Sequence, residues 1–406
     1  MKSVDEASVV VIGLGLIGSG ALRHLAGEAS DPVVGIGPGE PPVFARHEGA
    51  FASHYDAGRI TRHLDPRLEW AVLAARSIAG YGDLEAASGR AFHRPVGAVM
   101  TERDAARVAR TLTNAALMHV PVRVVAPGAP SPFAGLLAFP PDATLLCEPG
   151  PAGHIDPRAM LGANLRVAVN AGAAVIDDEV VSLVPLAGGV GAARWLVHTR
   201  TGPSLRADRV LIAAGPHADE FLDELGPRLE VSSLPQLRVR GETVVLATLD
   251  AAEHERLRDL PAVLARMEHP TYDDLYLVPP TVYPDGSVRL KLGATRSVHL
   301  DLPTPAAKRS WMRGDDHRSE LPELRALLED LVPRLRATEW ATKPCLITET
   351  PSGLPSIVTL APGLVLAAGG NGYAAKSANA IGQLAGDLLL AGTWPDAELG
   401  SAAFGG

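Results

Sequence analysis

The sequence has only two cysteines, Cys147 and Cys345, few aromatic residues, and no apolar run of the roughly 20 residues that a membrane helix needs. A disulfide framework is therefore excluded, and we expect a reducing, cytoplasmic compartment and no membrane partner. The apolar run 9–17 follows acidic residues and is interrupted by glycines. It predicts a buried strand and turn rather than a secretory segment.

Positive charge is scarce as well. Lys and Arg number 37 against 46 Asp and Glu, which gives a formal net charge of -9. This charge repels a phosphodiester backbone, and an aromatic content of 4% leaves little surface for stacking unpaired bases. Nucleic acid is therefore not an expected partner. The sequence also carries no metal-ligand signature and no nucleophile elbow of a serine hydrolase, so we expect no metal site.

A glycine motif near the start of the sequence has the context that gives it weight. Gly13, Gly15 and Gly18 form G-x-G-x-x-G after the β-branched run 8–12 and before a helical pattern. The first glycine permits a tight turn, the second lets backbone N–H groups approach a pyrophosphate, and the third lets helix and strand pack closely. The motif predicts dinucleotide binding, with a purely structural turn as the alternative.

The acidic residue that usually follows such a motif by about 20 positions is missing. Gly37 occupies the expected place, Asp31 precedes the second predicted strand, and Glu40 lies just beyond it. Two alternatives stay open for the adenosine ribose: Glu40 binds its hydroxyls, or backbone groups and water do.

The two ends of the sequence follow the same plan. An apolar strand at 364–368 precedes Gly369, Gly370 and Gly372, and a helix is predicted from about 374 to 390. Between the ends, the segments 237–246, 275–278 and 287–292 indicate an antiparallel sheet, and 306–336 indicates helices. At about 150 residues per domain, the 406 residues predict two or three domains. We expect one nucleotide-binding domain built from both termini, with a second domain inserted.

Several ordered segments resemble those of a known family. They are SHYDAGRITRHLD (53–65), GHIDPRAML (153–161), ADRVLIAAG (207–215) and the stretch 353–382 around GGNG. The chain resembles the D-amino-acid oxidase-like flavoproteins and, among them, the monomeric sarcosine oxidase branch.

The resemblance implies an α/β fold with FAD as cofactor. A Rossmann-like FAD-binding domain would comprise the discontinuous segments 1–95, 148–230 and 340–406. An inserted α+β substrate domain with an antiparallel sheet would comprise 96–147 and 231–339. Ser53 and His54 lie in the segment that would contact FAD, and the GGNG turn would place a helix N-terminus against the negative charge of the reduced flavin.

The resemblance also implies roles for Cys345 and Lys291. Cys345 lies where similar sarcosine oxidases attach the flavin through a thioether, and Thr348 and Thr350 match that branch's spacing. From the residue alone, an inert buried thiol is the alternative. Lys291 matches a lysine beneath the flavin that promotes the reaction with O2, because its positive charge stabilises the anion that O2 forms. A solvated strand lysine is the alternative.

Arg59, Arg62 and Tyr276 match further positions of the branch. The resemblance places Arg59 near the flavin edge and Arg62 on a substrate carboxylate, which a guanidinium can hold with two hydrogen bonds. Two positions depart from it: Thr295 replaces a histidine, and Ala374 replaces the second carboxylate-binding lysine. Lys376 lies two residues further on, so we expect it to point elsewhere on the helix.

These features predict an FAD-dependent oxidase that converts a small secondary amine or amino acid to an imine and reduces O2 to H2O2. The alternatives are a flavin dehydrogenase with another electron acceptor, a non-catalytic flavin-binding subunit and, more remotely, a nicotinamide dehydrogenase. The sequence does not determine the oligomeric state.

Overall fold

The structure is a computed structural model that describes residues 6–186, 194–229 and 234–405. The strands of the described residues are β1 (Glu6–Ile12), β2 (Val33–Ile36), β3 (Arg59–Thr61), β4 (His93–Arg94), β5 (Ala98–Glu102), β6 (Arg123–Val125), β7 (Thr144–Glu148), β8 (Gly153–Ile155), β9 (Ala174–Ile176), β10 (Val180–Pro185), β11 (Trp195–Thr199), β12 (Leu205–Ile212), β13 (Arg238–Leu249), β14 (Ala262–Arg266), β15 (Tyr272–Val282), β16 (Val288–Arg296), β17 (Leu300–Asp301), β18 (Ala337–Glu349), β19 (Ser356–Ala361) and β20 (Leu364–Ala368).

The α-helices of the same residues are α1 (Leu16–Glu28), α2 (Leu68–Ala79), α3 (Tyr81–Ser88), α4 (Ala105–Leu117), α5 (Pro157–Asn170), α6 (Ala218–Leu225), α7 (Ala251–Leu257), α8 (Pro305–Arg313), α9 (Leu321–Leu331) and α10 (Ala378–Ala391). Short 3₁₀ turns lie at Phe44–Arg46, Gly215–His217, Gly226–Arg228, Asp316–Glu320, Ala374–Ser377 and Ser401–Phe404. None of the described helices is long and apolar enough to cross a membrane.

The first sheet has a parallel centre, with neighbouring strands in the order β20, β12, β1, β2 and β9. Its central strand, β1, is a continuous apolar run, since other elements cover both of its faces. Val9 and Val11 pack with α1 and α10, whereas Val10 and Ile12 pack with α6 and the meander of β10 and β11. The predicted strands 33–36 and 364–368 are confirmed.

In the second sheet, β13, β16, β15, β14, β5, β7 and β6 are neighbours in that order. The short strand β17 pairs with β13 on the same edge as β16, and β18 pairs with the opposite edge of β13. Side chains alternate between its faces. Val245, Leu290 and Leu292 pack on α9, so the opposite face is directed at the first sheet. The predicted antiparallel sheet is confirmed, since β13, β16 and β15 pair antiparallel. The fold is therefore the predicted α/β arrangement, with one mainly parallel sheet that is covered on both faces and one antiparallel sheet.

One strand crosses a predicted domain boundary. Residues 337–349 form β18, which pairs with β13 along its whole length, so Cys345 belongs to the second sheet and not to a flavin-domain segment that begins at 340. This strand pairs with β13 because the backbone N–H and C=O groups on that edge of β13 need hydrogen-bond partners, which β18 supplies. The other predicted boundaries stay a prediction.

We expect Gly18→Ala to destabilise the fold by about 3 kcal/mol or more, because a Cβ there would lie 1.8 Å from the carbonyl oxygen of Gly13. Urea unfolding measures the effect. Gly27→Ala in the same helix is the matched control, since nothing lies within 4 Å of its Cβ position. This control should gain up to about 1 kcal/mol from helix propensity. Equal stability of the two variants would contradict the close packing of α1 on β1.

Candidate functional site

A cavity of about 910 Å³ lies between the two sheets. This volume is at the upper end of the roughly 300–1,000 Å³ of ligand pockets, as a large cofactor and a small substrate together would require. Gly18, Glu40 and Lys291 are not among its lining residues. The other residues predicted from the sequence line it together: Gly13, Gly15, Ser53, His54, Arg59, Arg62, Tyr276, Cys345, Gly369, Gly370, Gly372 and Lys376.

The glycine motif forms the turn between β1 and α1, as predicted. Gly13 has a φ of +90° and its N–H donates to the carbonyl oxygen of Ile36 at 2.8 Å, so the turn leaves the sheet sharply. A Cβ at Gly15 would meet only His54 Nδ1, at 3.8 Å, which leaves the N-terminus of α1 open to the cavity. An anionic group there would lie against the positive end of the helix dipole.

Glu40 lies outside the cavity. Its carboxylate accepts hydrogen bonds from Nε and Nη2 of Arg158, at 2.5 and 2.6 Å. The acid that lines the cavity beside the end of β2 is Glu179, which follows β9, the neighbour of β2 in the sheet. Sequence reasoning missed Glu179, whose carboxylate is itself paired with Arg200 Nη2 at 2.8 Å, and the ribose role of Glu40 stays a prediction.

The C-terminal glycine turn is fastened to the segment that follows Cys345. Gly369 and Gly372 have φ values of +84° and +77°, which bend the chain after β20. Asn371 N–H donates to the carbonyl oxygen of Thr348 at 2.8 Å, and Asn371 Oδ1 accepts from Thr350 N–H at 2.9 Å. Two direct hydrogen bonds thus join the turn to the two threonines that follow Cys345.

Arg62 and Lys376 converge on one carboxylate, that of Asp65. Arg62 Nη1 lies 3.1 Å and Lys376 Nζ 2.9 Å from Asp65 Oδ2, and the three side chains are at most 5% exposed. The expectation that Lys376 points elsewhere is wrong. Residues Ala374–Ser377 form a 3₁₀ turn before α10 begins, and this turn directs Lys376 into the cavity beside Arg62.

Charge and burial set the protonation states of this cluster. Burial and, to a lesser degree, the charge of Arg62 lower the pKa of Lys376 to about 8, although Asp65 opposes both effects. Burial favours the neutral form of Asp65, but Lys376 and Arg62 outweigh it and hold the pKa of Asp65 below its ordinary value. The cluster carries one net positive charge at neutral pH.

Lys291 belongs to a second cluster of the same composition. Its side chain is 1% exposed, and Nζ donates to Asp56 Oδ2 at 2.7 Å and to the carbonyl oxygen of Gly58. Arg59 also donates to Asp56 and lines the cavity, whereas Lys291 lies behind it. The alternative of a solvated lysine is therefore wrong. Burial lowers the pKa of Lys291 to about 8, with Asp56 opposing.

Tyr276 and Cys345 lie on the sheet face above the cavity. The Tyr276 hydroxyl donates to Glu242 Oε1 at 3.4 Å, and Glu242 in turn accepts from Arg240 at 2.8 Å. Cys345 is directly opposite Glu242 in the strand register, and Arg59 Nη2 lies 3.9 Å from its Sγ. Burial raises the pKa of the Cys345 thiol, and Arg59 opposes this. The other cysteine, Cys147, is half-buried in β7 and packs against an apolar cluster.

Sequence reasoning missed Asp56, Asp65 and Glu242. The first two do leave a signal, because DAGRITRHLD places an acid three residues before Arg59 and another three residues after Arg62. Glu242 leaves none, since a single charged residue in a strand is more often solvated. Among the described residues, no group of three or more His, Cys, Asp or Glu could hold a metal ion.

Comparison with known proteins identifies the fold. Residues 8–388 match the model of a protein family described as FAD dependent oxidoreductase. No curated protein sequence matches the chain.

Solved structures with the same fold cover nearly the whole chain. NikD, an unusual amino acid oxidase essential for nikkomycin biosynthesis, is 19% identical, with a TM-score of 0.75 and coverage of 98% of this chain and 97% of that one. Glycine oxidase from Geobacillus kaustophilus is 22% identical, with a TM-score of 0.73 and 98% of each chain covered. L-proline dehydrogenase from P. horikoshii is 18% identical, with a TM-score of 0.73 and coverage of 96% and 95%.

The cavity fits FAD. Among the described residues, His54 Nδ1 and Thr348 Oγ1 are buried without a hydrogen-bond partner, and both residues line the cavity. Buried polar atoms are almost always paired, so these two indicate a polar ligand in the cavity. The open turn at Gly15 suits its pyrophosphate, and Gly372, whose Cβ position has only Ile347 Cδ1 nearby at 3.9 Å, leaves the second turn open to the cavity. With the match over residues 8–388, the chain belongs to the family of FAD-dependent oxidoreductases.

Proposed function

We propose that the protein oxidises the C–N bond of a small amine or amino acid that carries one carboxylate, giving an imine. The cluster of Arg62, Asp65 and Lys376 carries this proposal. It presents one net positive charge to the cavity, and it does so with a guanidinium and an ammonium that are both buried. A single carboxylate neutralises such a site, and a guanidinium can hold it with two parallel hydrogen bonds.

FAD supplies a hydride acceptor when it is bound. The chain's own residues would orient the substrate and exclude water. The Asp65 carboxylate is unsuited to act as a base, because its pKa is lowered and both of its neighbours are cations. We therefore propose that the substrate amine loses its proton to solvent before oxidation, so that the reaction rate rises with pH as the amine becomes neutral.

The electron acceptor is part of the proposal. O2 is favoured by the resemblance of Lys291 to the oxygen-site lysine of sarcosine oxidases. A different acceptor, as in a dehydrogenase, is favoured by one observation: Asp56 binds the Lys291 ammonium and partly cancels its charge. We propose O2, and release of H2O2 during turnover separates the two functions.

We expect anaerobic addition of N-alkyl or cyclic amino acids to bleach the flavin absorption near 450 nm. Arg62→Ala should weaken binding of the bleaching substrate roughly 100-fold, or about 2.7 kcal/mol, because a buried charge pair is lost. Stopped-flow reduction at varied substrate concentration measures the dissociation constant. Arg110→Ala, on the exposed face of α4, is the control and should match the wild type. Unchanged affinity in Arg62→Ala would place the carboxylate elsewhere.

Lys291→Met should slow reoxidation of the reduced flavin by O2 at least roughly tenfold, since a positive charge near O2 stabilises the anion that forms. Anaerobic reduction by substrate should change much less. Lys291→Arg keeps the charge and is the matched control. Equal slowing of both half-reactions would contradict an oxygen role, and no slowing of reoxidation would favour the dehydrogenase.

We also propose that Cys345 attaches the flavin through a thioether, because its thiol lies in the cavity beside Arg59. Acid-precipitated wild-type protein should stay yellow, and peptide mass spectrometry should find the flavin on the Cys345 peptide. Cys345→Ser should release all of its flavin under acid. Cys147→Ser, at the other cysteine of the chain, should keep its flavin. Complete release from the wild type would exclude the covalent bond.

A further inference from the structure

We infer that Asp65 is a positioning residue: it keeps the proposed carboxylate site charged and oriented, and thereby sets the upper pH limit of carboxylate binding. The inference rests on the proposed function, because it concerns the same Arg62 and Lys376. The sequence resemblance assigns no role to Asp65, and its contacts with Arg62 and Lys376 are seen in the structure.

Asp65 is held rigidly from three sides. Its Oδ2 accepts from Arg62 and Lys376, and its Oδ1 accepts from the N–H of Arg67 at 3.1 Å. Its backbone carbonyl oxygen accepts from Asn114 Nδ2 at 3.0 Å, which fixes the main chain. A carboxylate fixed in this way orients the two cations that contact it, because neither can swing away without breaking an ion pair.

Without Asp65, the two cations would face each other in a buried site. Like charges disfavour the charged form of the group that can lose a proton. Arg62 cannot lose one under ordinary conditions, so the change falls on Lys376. Asp65 therefore determines whether the lysine is an ammonium that binds a carboxylate or a neutral amine that does not.

The other groups around Lys376 do not replace Asp65. Glu148 is the further acid that acts on it, but its carboxylate accepts from the N–H groups of His63 and Leu64 and pairs with His63 Nδ1 at 2.5 Å. The Tyr81 hydroxyl donates to the backbone carbonyl oxygen of Lys376, not to its ammonium.

On the cavity side, the ring of Tyr373 lies under the Arg62 guanidinium, with 5.9 Å between the guanidinium carbon and the ring centroid. Asp274 and Arg266 line the cavity beyond Tyr373, and they carry opposite charges that offset each other. Asp65 is thus the acid in direct contact with both cations of the site.

The sign of the pH effect follows from the direction of the pKa shift. Burial lowers the pKa of Lys376 to about 8, and Asp65 opposes that shift. Carboxylate binding needs the protonated lysine, so affinity is full below pH 8 and falls with rising pH above it. Removing the Asp65 charge lowers the pKa further and moves this loss of affinity to lower pH.

The experiment uses the FAD-loaded protein and acetate as the carboxylate probe, with acetamide as its uncharged counterpart. Binding is followed by the change in the visible flavin spectrum between pH 6 and 10, without turnover. In the wild type, the acetate dissociation constant should rise up to tenfold per pH unit above pH 8, while acetamide binding should not depend on pH.

Asp65→Asn should move the onset of this loss at least one pH unit lower. At pH 6 it should bind acetate as tightly as the wild type or more tightly, because both cations are then charged and unopposed. Asp65→Ser removes the same charge with a smaller side chain and should show the same shift if the asparagine variant does not fold. Asp65→Glu should restore the wild-type onset, and Lys376→Arg should abolish the pH dependence.

Asp219→Asn is the matched control. Asp219 is the counter-ion of another fully buried lysine, Lys308, whose Nζ lies 2.6 Å away, and it does not line the cavity. The control should leave the onset unchanged. The inference would be overturned if acetate affinity began to fall at the wild-type pH in both Asp65→Asn and Asp65→Ser. It would also be overturned if these variants bound acetate more weakly by the same factor at every pH. Wild-type acetate affinity in Lys376→Met would instead overturn the proposed carboxylate site itself.

Discussion

The structure depends on a contact between backbones at the start and the end of the chain. Helix α1 packs against α10 so closely that a Cβ at Gly382 would lie 2.5 Å from Ala21 N and 2.6 Å from the Ile17 carbonyl oxygen. Helix α1 also packs through Gly18 on Gly13, the residue that follows β1. Both glycine turns that border the cavity precede these helices, so this contact fixes their separation. A larger side chain at this contact between the helices would move the two turns apart and misplace a ligand bound to both.

Two buried charge clusters of the same kind lie at the border of the cavity. One segment of about ten residues supplies an acid and an arginine to each, and a lysine from a distant element completes each one. Buried charges are tolerated only when they are paired, and each cluster leaves one positive charge over. The segment 56–65 therefore brings positive potential to a cavity in a protein whose net charge is -9. Local pairing, not overall charge, decides which substrates the cavity attracts.

Much of the fold could be predicted from local patterns. The first strand, the glycine turn and the last helix follow from apolar periodicity and turn chemistry, which act over neighbouring residues. The site was predicted less completely, because Lys291 and Lys376 reach the acids of the segment 56–65 from distant elements. Lys376 shows the limit most clearly. Its side-chain direction was predicted wrongly because an α-helix was assumed from residue 374, whereas residues 374–377 form a 3₁₀ turn. The strand that carries Cys345 was misassigned for a related reason, as strand pairing is a long-range property.

That strand has a mechanical consequence. Because β18 is hydrogen-bonded to β13, Cys345 moves with the antiparallel sheet, whereas the dinucleotide turn moves with the parallel sheet. A thioether at Cys345 would then join the prosthetic group to both halves of the molecule at once. Any movement of one sheet relative to the other would then act on the prosthetic group itself, because its two ends would be held by different sheets.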